Sequence, residues 1–375
     1  MKRSFLSLII CIAVLITSSG GLCESSLPKQ WTGCMCMPAV RTDEGFYMIV
    51  DDFLYYYDPD TFTPMLLCSK INCLHQHGEF PDSCDAYVSI SYSLSAFDGH
   101  LYYEDFNSEG QWMFARMNMD GTGHEKWMDF PMSEDKSHVP FGFQGTYYFY
   151  TDIYTSASDQ LDMETKNMFS VLDISDPSNQ PFLIQEWEGM DKTVFPLQVS
   201  DEKLFYLFGS MDGEKYLYAY DLKAHQKELL YTAKEAASYF CSGNSIWMLQ
   251  ADTGVTRIDP KTNQAQVLVA QEKTGEQLTE YNCDGRYIYE TVQEDSLAAC
   301  SITVRDMEGK KLCQASVPSA SYLYSISDDL LLFGSDEYRF LPTAAVSLDS
   351  LLQGNPDIKQ ITIPNVIKGS YHSYQ

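Results

Sequence analysis

Residues 98–127, DGHLYYEDFNSEGQWMFARMNMDGTGHEKW, read as strand, loop, strand, turn and strand. After the Asp98-Gly99 turn comes the apolar and aromatic run Leu101-Tyr102-Tyr103, and a polar loop leads to the second run, Trp112 to Met117. Asn118-Met119-Asp120-Gly121 then turns into a third run. Aromatic residues suit a pleated surface, and Asp, Asn and Gly supply the backbone conformations that turns need. The stretch predicts one blade of antiparallel sheet.

The same grammar recurs along the chain. Phe46, Leu101, Tyr147, Leu204, Ile246, Tyr287 and Leu330 each begin a strand-like run just after a turn. Their spacing averages about 47 residues, a period of the propeller kind. A second series ends at Asp or Asn: Tyr57-Asp58-Pro59, Asn118-Met119-Asp120-Gly121, Leu172-Asp173, Tyr220-Asp221, Ile258-Asp259-Pro260 and Arg305-Asp306. An Asx side chain caps its own turn. Short runs ahead of the turns, such as 140–143, 195–199 and 322–326, supply the innermost strands. The fold expected is all-β, a seven-bladed β-propeller of four-stranded antiparallel blades over 39–375. A pair of β-sandwiches is the rival, and it lacks a sustained period of this length.

The blade at 98–127 carries a resemblance as well. Leu101-Tyr102-Tyr103 with Ala115-Arg116-Met117-Asn118-Met119-Asp120-Gly121-Thr122-Gly123 resembles bacterial exported propellers related to the YWTD modules of lipoprotein receptors and to the TolB-like families. The likeness is close in this blade and degenerate elsewhere, the fifth to seventh blades keeping only the strand rhythm and, in places, the Asp turn. Proteins of this kind are mostly of unassigned function, so the resemblance implies a propeller fold and export and very little chemistry.

The N-terminus points to export independently. A basic start at Lys2-Arg3, an apolar run over 5–16 and small residues over 17–21 make residues 1–21 a secretory signal peptide, with 22–38 as a linker. The run is too short to span a bilayer stably. Cys23 offers a lipid anchor as the alternative, although the order Gly20-Gly21-Leu22 departs from the lipoprotein pattern. The expected location is extracytoplasmic, secreted or at the cell envelope, with membrane attachment only through Cys23. With 25 basic against 52 acidic residues the formal charge of the 375-residue chain is −27, which disfavours nucleic acid as a partner.

Two insertions interrupt the rhythm, at 68–86 and 151–167, and both leave the blades at one face. The first holds Cys68, Cys73, His75 and Cys84. Three thiols and an imidazole match the ligand set of a closed structural zinc site that would staple a loop with little core of its own. Disulfides are the competing reading in an oxidising compartment. Three is an odd number, so Cys34 or Cys36 would have to join; free thiols are the third option. Cys241, Cys283, Cys300 and Cys313 read as buried thiols or as bridges within each pair.

No nucleophile elbow, metalloprotease helix, phosphate loop or sialidase-type Asp box is present, so no catalytic residue and no cofactor besides the zinc is expected. Trp112, Trp127, Trp187 and Trp247 read as strand aromatics before they read as sugar platforms, and Asp120-Gly121-Thr122-Gly123 as a turn before a calcium loop. The expectation is a monomeric, non-catalytic binding or scaffolding propeller for a protein, peptide or glycan. The alternative is a glycosidase or lyase with carboxylates at the channel mouth.

Overall fold

A computed structural model describes residues 38–75, 84–90, 93–130, 136–157, 163–210, 213–233, 237–242, 245–270, 279–295, 299–318, 320–327, 329–335 and 341–364. They form seven four-stranded antiparallel sheets, each a meander of consecutive strands, and the protein is a seven-bladed β-propeller. Two compact units divide between Val194 and Phe195.

The N-terminal unit holds three blades. The first is β1 (Ala39–Arg41), β2 (Phe46–Val50), β3 (Phe53–Tyr57) and β4 (Pro64–Leu66); the second is β5 (Leu94–Phe97), β6 (His100–Phe106), β7 (Trp112–Asn118) and β8 (Glu125–Asp129). The third is β9 (Lys136–Gln144), β10 (Tyr147–Ala157), β11 (Met163–Asp173) and β12 (Phe182–Glu188).

The C-terminal unit holds four. They are β13 (Lys192–Ser200), β14 (Lys203–Ser210), β15 (Lys215–Asp221) and β16 (Gln226–Ala233), then β17 (Ser238–Ser242), β18 (Ser245–Gln250), β19 (Gly254–Ile258) and β20 (Ala265–Ala270). Next come β21 (Thr279–Cys283), β22 (Tyr287–Asp295), β23 (Ala299–Asp306) and β24 (Lys311–Pro318). The last is β25 (Tyr322–Ser327), β26 (Leu330–Gly334), β27 (Pro342–Ser347) and β28 (Ile358–Gln360), with one short helix, α1 (Leu348–Leu352), inside it. No helix of the described residues is long and apolar enough to cross a membrane.

Every run singled out by the spacing opens the second strand of a blade. Burial explains why these runs are the most legible. β2 is buried along its whole length and reads as a continuous apolar run. Outermost strands meet water and read otherwise: β16 begins with four exposed residues, and β8 with two, Glu125 and Lys126. Charged residues on such edges discourage pairing with another chain. The Asp98-Gly99 turn places both residues at positive φ, as a tight hairpin requires.

One expectation is corrected. Residues 151–167 do not form a long loop: β10 and β11 stay in register from Tyr147↔Asp173 to Ala157↔Met163, leaving only 158–162 beyond them. Thr151, Ile153, Tyr154, Thr155 and Thr165 are β-branched or aromatic, and the pairing of one long strand with the other satisfies their backbone groups without a core on both sides.

Candidate metal centre

The link from β4 to β5 leaves the first blade at the end that also carries the β2–β3 turn. It is tied there by main-chain contacts, Leu54 N–H to Ala86 O (2.7 Å) and Val88 N–H to Asp52 O (2.8 Å), and by a bridge between Phe53 and Tyr87. The rings of Phe53 and Tyr87 lie 5.7 Å apart, and Phe53, Cys84 and Ala86 form a small buried cluster. The C-terminal arm of the link is therefore held against the sheet, and it presents Cys84 from a buried position.

The N-terminal arm returns to meet it. Cys73 N–H reaches Lys70 O at 3.4 Å, closing a turn in which Asn72 takes a positive φ of 61°. His75 has a φ of 51°, which swings its ring back over the cysteines. Asn and His tolerate this conformation better than β-branched residues do. As a result one ligand atom from each of Cys68, Cys73, His75 and Cys84 lies within 4.8 Å of all the others. His75 Nδ1 is 3.4 Å from Cys84 Sγ. Around a tetrahedral zinc the ligand atoms stand about 3.7 Å apart, so the cluster is of the right size for a metal.

The main chain treats these sulfurs as acceptors. Cys68 Sγ takes the backbone N–H of Lys70, Cys73 Sγ that of His75 (3.4 Å) and Cys84 Sγ that of Ala86, so each thiol is bonded by the residue two positions on. Cys68 Sγ receives the N–H of Asp85 in addition. Amide donors to sulfur favour thiolate over thiol, the form that binds metal. Burial pushes the Cys68 thiol up, but the amides of Lys70 and Asp85 and the neighbouring thiols of Cys84 and Cys73 outweigh it, and the net shift is downward. Burial pushes Cys84 up to about 12, against the Ala86 amide. A cation among the three sulfurs would reverse that cost.

Around the cluster stands a shell that sequence reasoning missed. The exposed Lys70 reaches Asp85 at 3.1 Å, and Ser69 donates its hydroxyl to the same carboxylate at 2.9 Å. Asp85 is 8% exposed and clamps the Cys68 arm to the Cys84 arm. Its place beside Cys84 was the only signal available. The link also exposes 90% of Ile71 and 79% of Leu74, on either side of Cys73.

The other sequence-level candidates have separate fates. His77, Cys23, Cys34 and Cys36 lie outside the described residues, and so does any bridge through them. Cys68, Cys73, Cys84, Cys241, Cys283, Cys300 and Cys313 are unbridged. Cys300 pairs with Val317 and Cys313 with Val304, an offset of about 13 Å along the strands, well past disulfide reach. Cys241 and Cys283 belong to different core clusters. Trp187 and Trp247 are buried; Trp127 is half-buried, with Arg116 stacked 3.9 Å over its ring. At residues 118–122 the chain makes a turn, with Asn118 N–H bonded to Thr122 O at 2.8 Å and the Asp120 carboxylate bonded to Thr122.

A scan of protein families and a search of curated proteins find no match to this chain. Solved structures do match. A prolyl endopeptidase is similar at a TM-score of 0.51 with 14% identity, over 94% of this chain and 51% of that one. A puromycin hydrolase follows at 0.45 and 13%, over 86% and 53%. TolB from Acinetobacter baumannii gives 0.35 and 14%, over 78% and 64%. This chain spans about half the length of the two hydrolases, and the likeness to the first is one of fold.

Proposed function

We propose that the protein is a non-catalytic recognition propeller working outside the cytoplasm, and that a structural zinc held by Cys68, Cys73, His75 and Cys84 shapes its recognition surface. The observation that carries the zinc is the common pattern of amide donation: three sulfurs, each bonded by the residue two positions on, converge with one imidazole. A disulfide would consume two of these sulfurs and leave the third and the ring without a role. The staple suits a link whose residues 69–72 and 74–75 are exposed, and it holds Ile71 and Leu74 out in water, where a protein, peptide or glycan would meet them. Export rests on the basic, apolar and small-residue order of 1–21.

The test is elemental analysis of the purified mature protein, with thiol counting and intact mass before and after a chelator. About one zinc per chain, lost in Cys73→Ser, is the expected result. No metal and few free thiols would overturn it in favour of disulfides. Peptide and glycan arrays probed with the zinc-loaded protein then test recognition. An Ile71→Ser/Leu74→Ser variant is expected to keep the zinc and lose the array signal; turnover of a polysaccharide panel would favour the glycosidase or lyase instead.

A further inference from the structure

Away from the cysteines, six polar side chains join into one buried chain between the second and third blades. Ser93, just before β5, donates its N–H (3.2 Å) and hydroxyl (3.0 Å) to Glu104 Oε2 on β6. Tyr148 on β10 donates its hydroxyl to Glu104 Oε1 at 2.7 Å. On the far side of that hydroxyl stands His138 of β9, its Nε2 at 3.5 Å. His138 Nδ1 lies 3.2 Å from Asp152 Oδ1, and Lys136 Nζ lies 2.6 Å from Asp152 Oδ2. Ser93, Glu104 and Tyr148 are fully buried, and the side chains of His138, Asp152 and Lys136 are 1%, 6% and 9% exposed.

Rings close the site to water. Phe130, Tyr150 and Trp112 sit 4.3, 4.8 and 5.2 Å from the His138 ring. Among the described residues, the charged and titratable groups facing His138 are thus Asp152, Tyr148 and Tyr150 from β10 and Lys136 from its own strand, with Glu104 of β6 behind Tyr148; burial holds the Tyr150 phenol neutral.

Counting hydrogens along this chain decides what it can do. Asp152 accepts from Lys136 and orients Nδ1–H of His138, which aims Nε2 at the Tyr148 oxygen. Tyr148 has one hydrogen to give. If Glu104 is protonated, its O–H donates to Tyr148, Tyr148 donates to Nε2, and every contact is matched. If the same proton sits on His138 instead, Nε2–H donates to Tyr148 and Tyr148 to the Glu104 carboxylate, and every contact is matched again. Remove that proton to solvent and the carboxylate keeps the Tyr148 hydrogen, so the Nε2 lone pair faces an oxygen lone pair in a buried place.

We propose that Glu104 and His138 share one proton through Tyr148, and that this proton locks the second blade to the third. The joint is tight while the proton is present and loosens when it leaves. Burial pushes the Glu104 carboxyl up to about 7 against the Tyr148 and Ser93 donors, and it pushes His138 down against Asp152, so neither group holds the proton on ordinary terms.

The test is histidine-labelled NMR of the full chain from about pH 5 to 9, with His138→Asn to assign the ring and hydrogen exchange of β6 and β10 in parallel. In the wild type His138 should show a step near the Glu104 titration, and seam amides should exchange about tenfold faster above it than intrinsic rates allow. In Glu104→Gln the amide donates to Tyr148 at every pH, so the step and the acceleration should vanish. Tyr148→Phe should uncouple His138 from Glu104. Titration curves for His138 that are the same in the wild type and in either variant would overturn the proposal, as would seam exchange that follows the intrinsic rate throughout.

Discussion

Ser69 donates its hydroxyl to Asp85 across 2.9 Å, and that bond joins two arms of the 68–86 link which the sequence separates by 16 residues. Asp85 also takes the Lys70 ammonium and sends its own N–H to Cys68 Sγ. One carboxylate therefore positions the turn that presents Cys68. Asp85→Ala is expected to weaken zinc affinity by about 10- to 100-fold, the usual cost of losing such support. Competition with a calibrated chelator measures it. Lys70→Ala should cost far less, since its side chain is 39% exposed and water screens the pair.

Metal removal should act locally. Chelation of the wild type, or Cys84→Ser, is expected to lower the melting temperature and to raise hydrogen exchange at 84–90, where Ala86 and Val88 bond to the first blade. Cys313→Ser should leave metal content unchanged, because Cys313 sits on β24 with Val304 as its neighbour. Loss of metal in that variant would point to a different ligand set.

Stability should depend on pH through Glu104. Its carboxyl is raised from 4.5 to about 7 by burial, so the unfolded chain releases the proton more readily than the folded one. The contribution is fully present below pH 4.5 and is lost as pH rises through about 7, a difference of about 3 kcal/mol. His124 acts in the other direction. Burial lowers its imidazole from 6.5 to about 4, so its contribution is present above 6.5 and lost as pH falls toward 4. Urea unfolding of wild type and Glu104→Gln at matched pH isolates the first effect: their difference should change between acid and neutral pH, and a constant difference would refute it.

In the C-terminal unit, Gln198 offers its side-chain amide to both backbone groups of Cys241, accepting from N–H at 3.1 Å and donating to O at 2.7 Å. This clamp joins β13 to β17 at a site that is 1% exposed. Gln198→Ala would leave a buried donor and acceptor of Cys241 to find other partners, at a cost of about 1–3 kcal/mol in chemical denaturation.

Gly309 has a φ of 85°, and a Cβ there would meet the Leu268 carbonyl oxygen at 2.4 Å. Gly309→Ala should cost about 1–3 kcal/mol by thermal or urea unfolding, because backbone cannot step aside. Gly99, at 74° with nothing within 4 Å of its Cβ position, is the control: Gly99→Ala carries the conformational penalty alone, about 1 kcal/mol.

What the sequence determined by itself was whatever is written in short range. Blade number and the second strands were legible because the apolar runs opened by Phe46, Leu101, Tyr147 and their counterparts are largely buried, β2 along its whole length, and the turns because Asp98 and Gly99 must adopt positive φ. Cys68, Cys73, His75 and Cys84 were legible as a set because 17 residues hold them all. Tertiary structure decided the rest. The length of β10 and β11 comes from their pairing with each other, which outweighs the polar composition of 151–167. The amides that turn three sulfurs into acceptors are main-chain groups, the same in every sequence until the fold aims them. Glu104 and Tyr148 stand 44 residues apart, each on an aromatic-rich strand that reads as core. Only the packing of one blade on the next removes water from both and makes the position of a single proton matter.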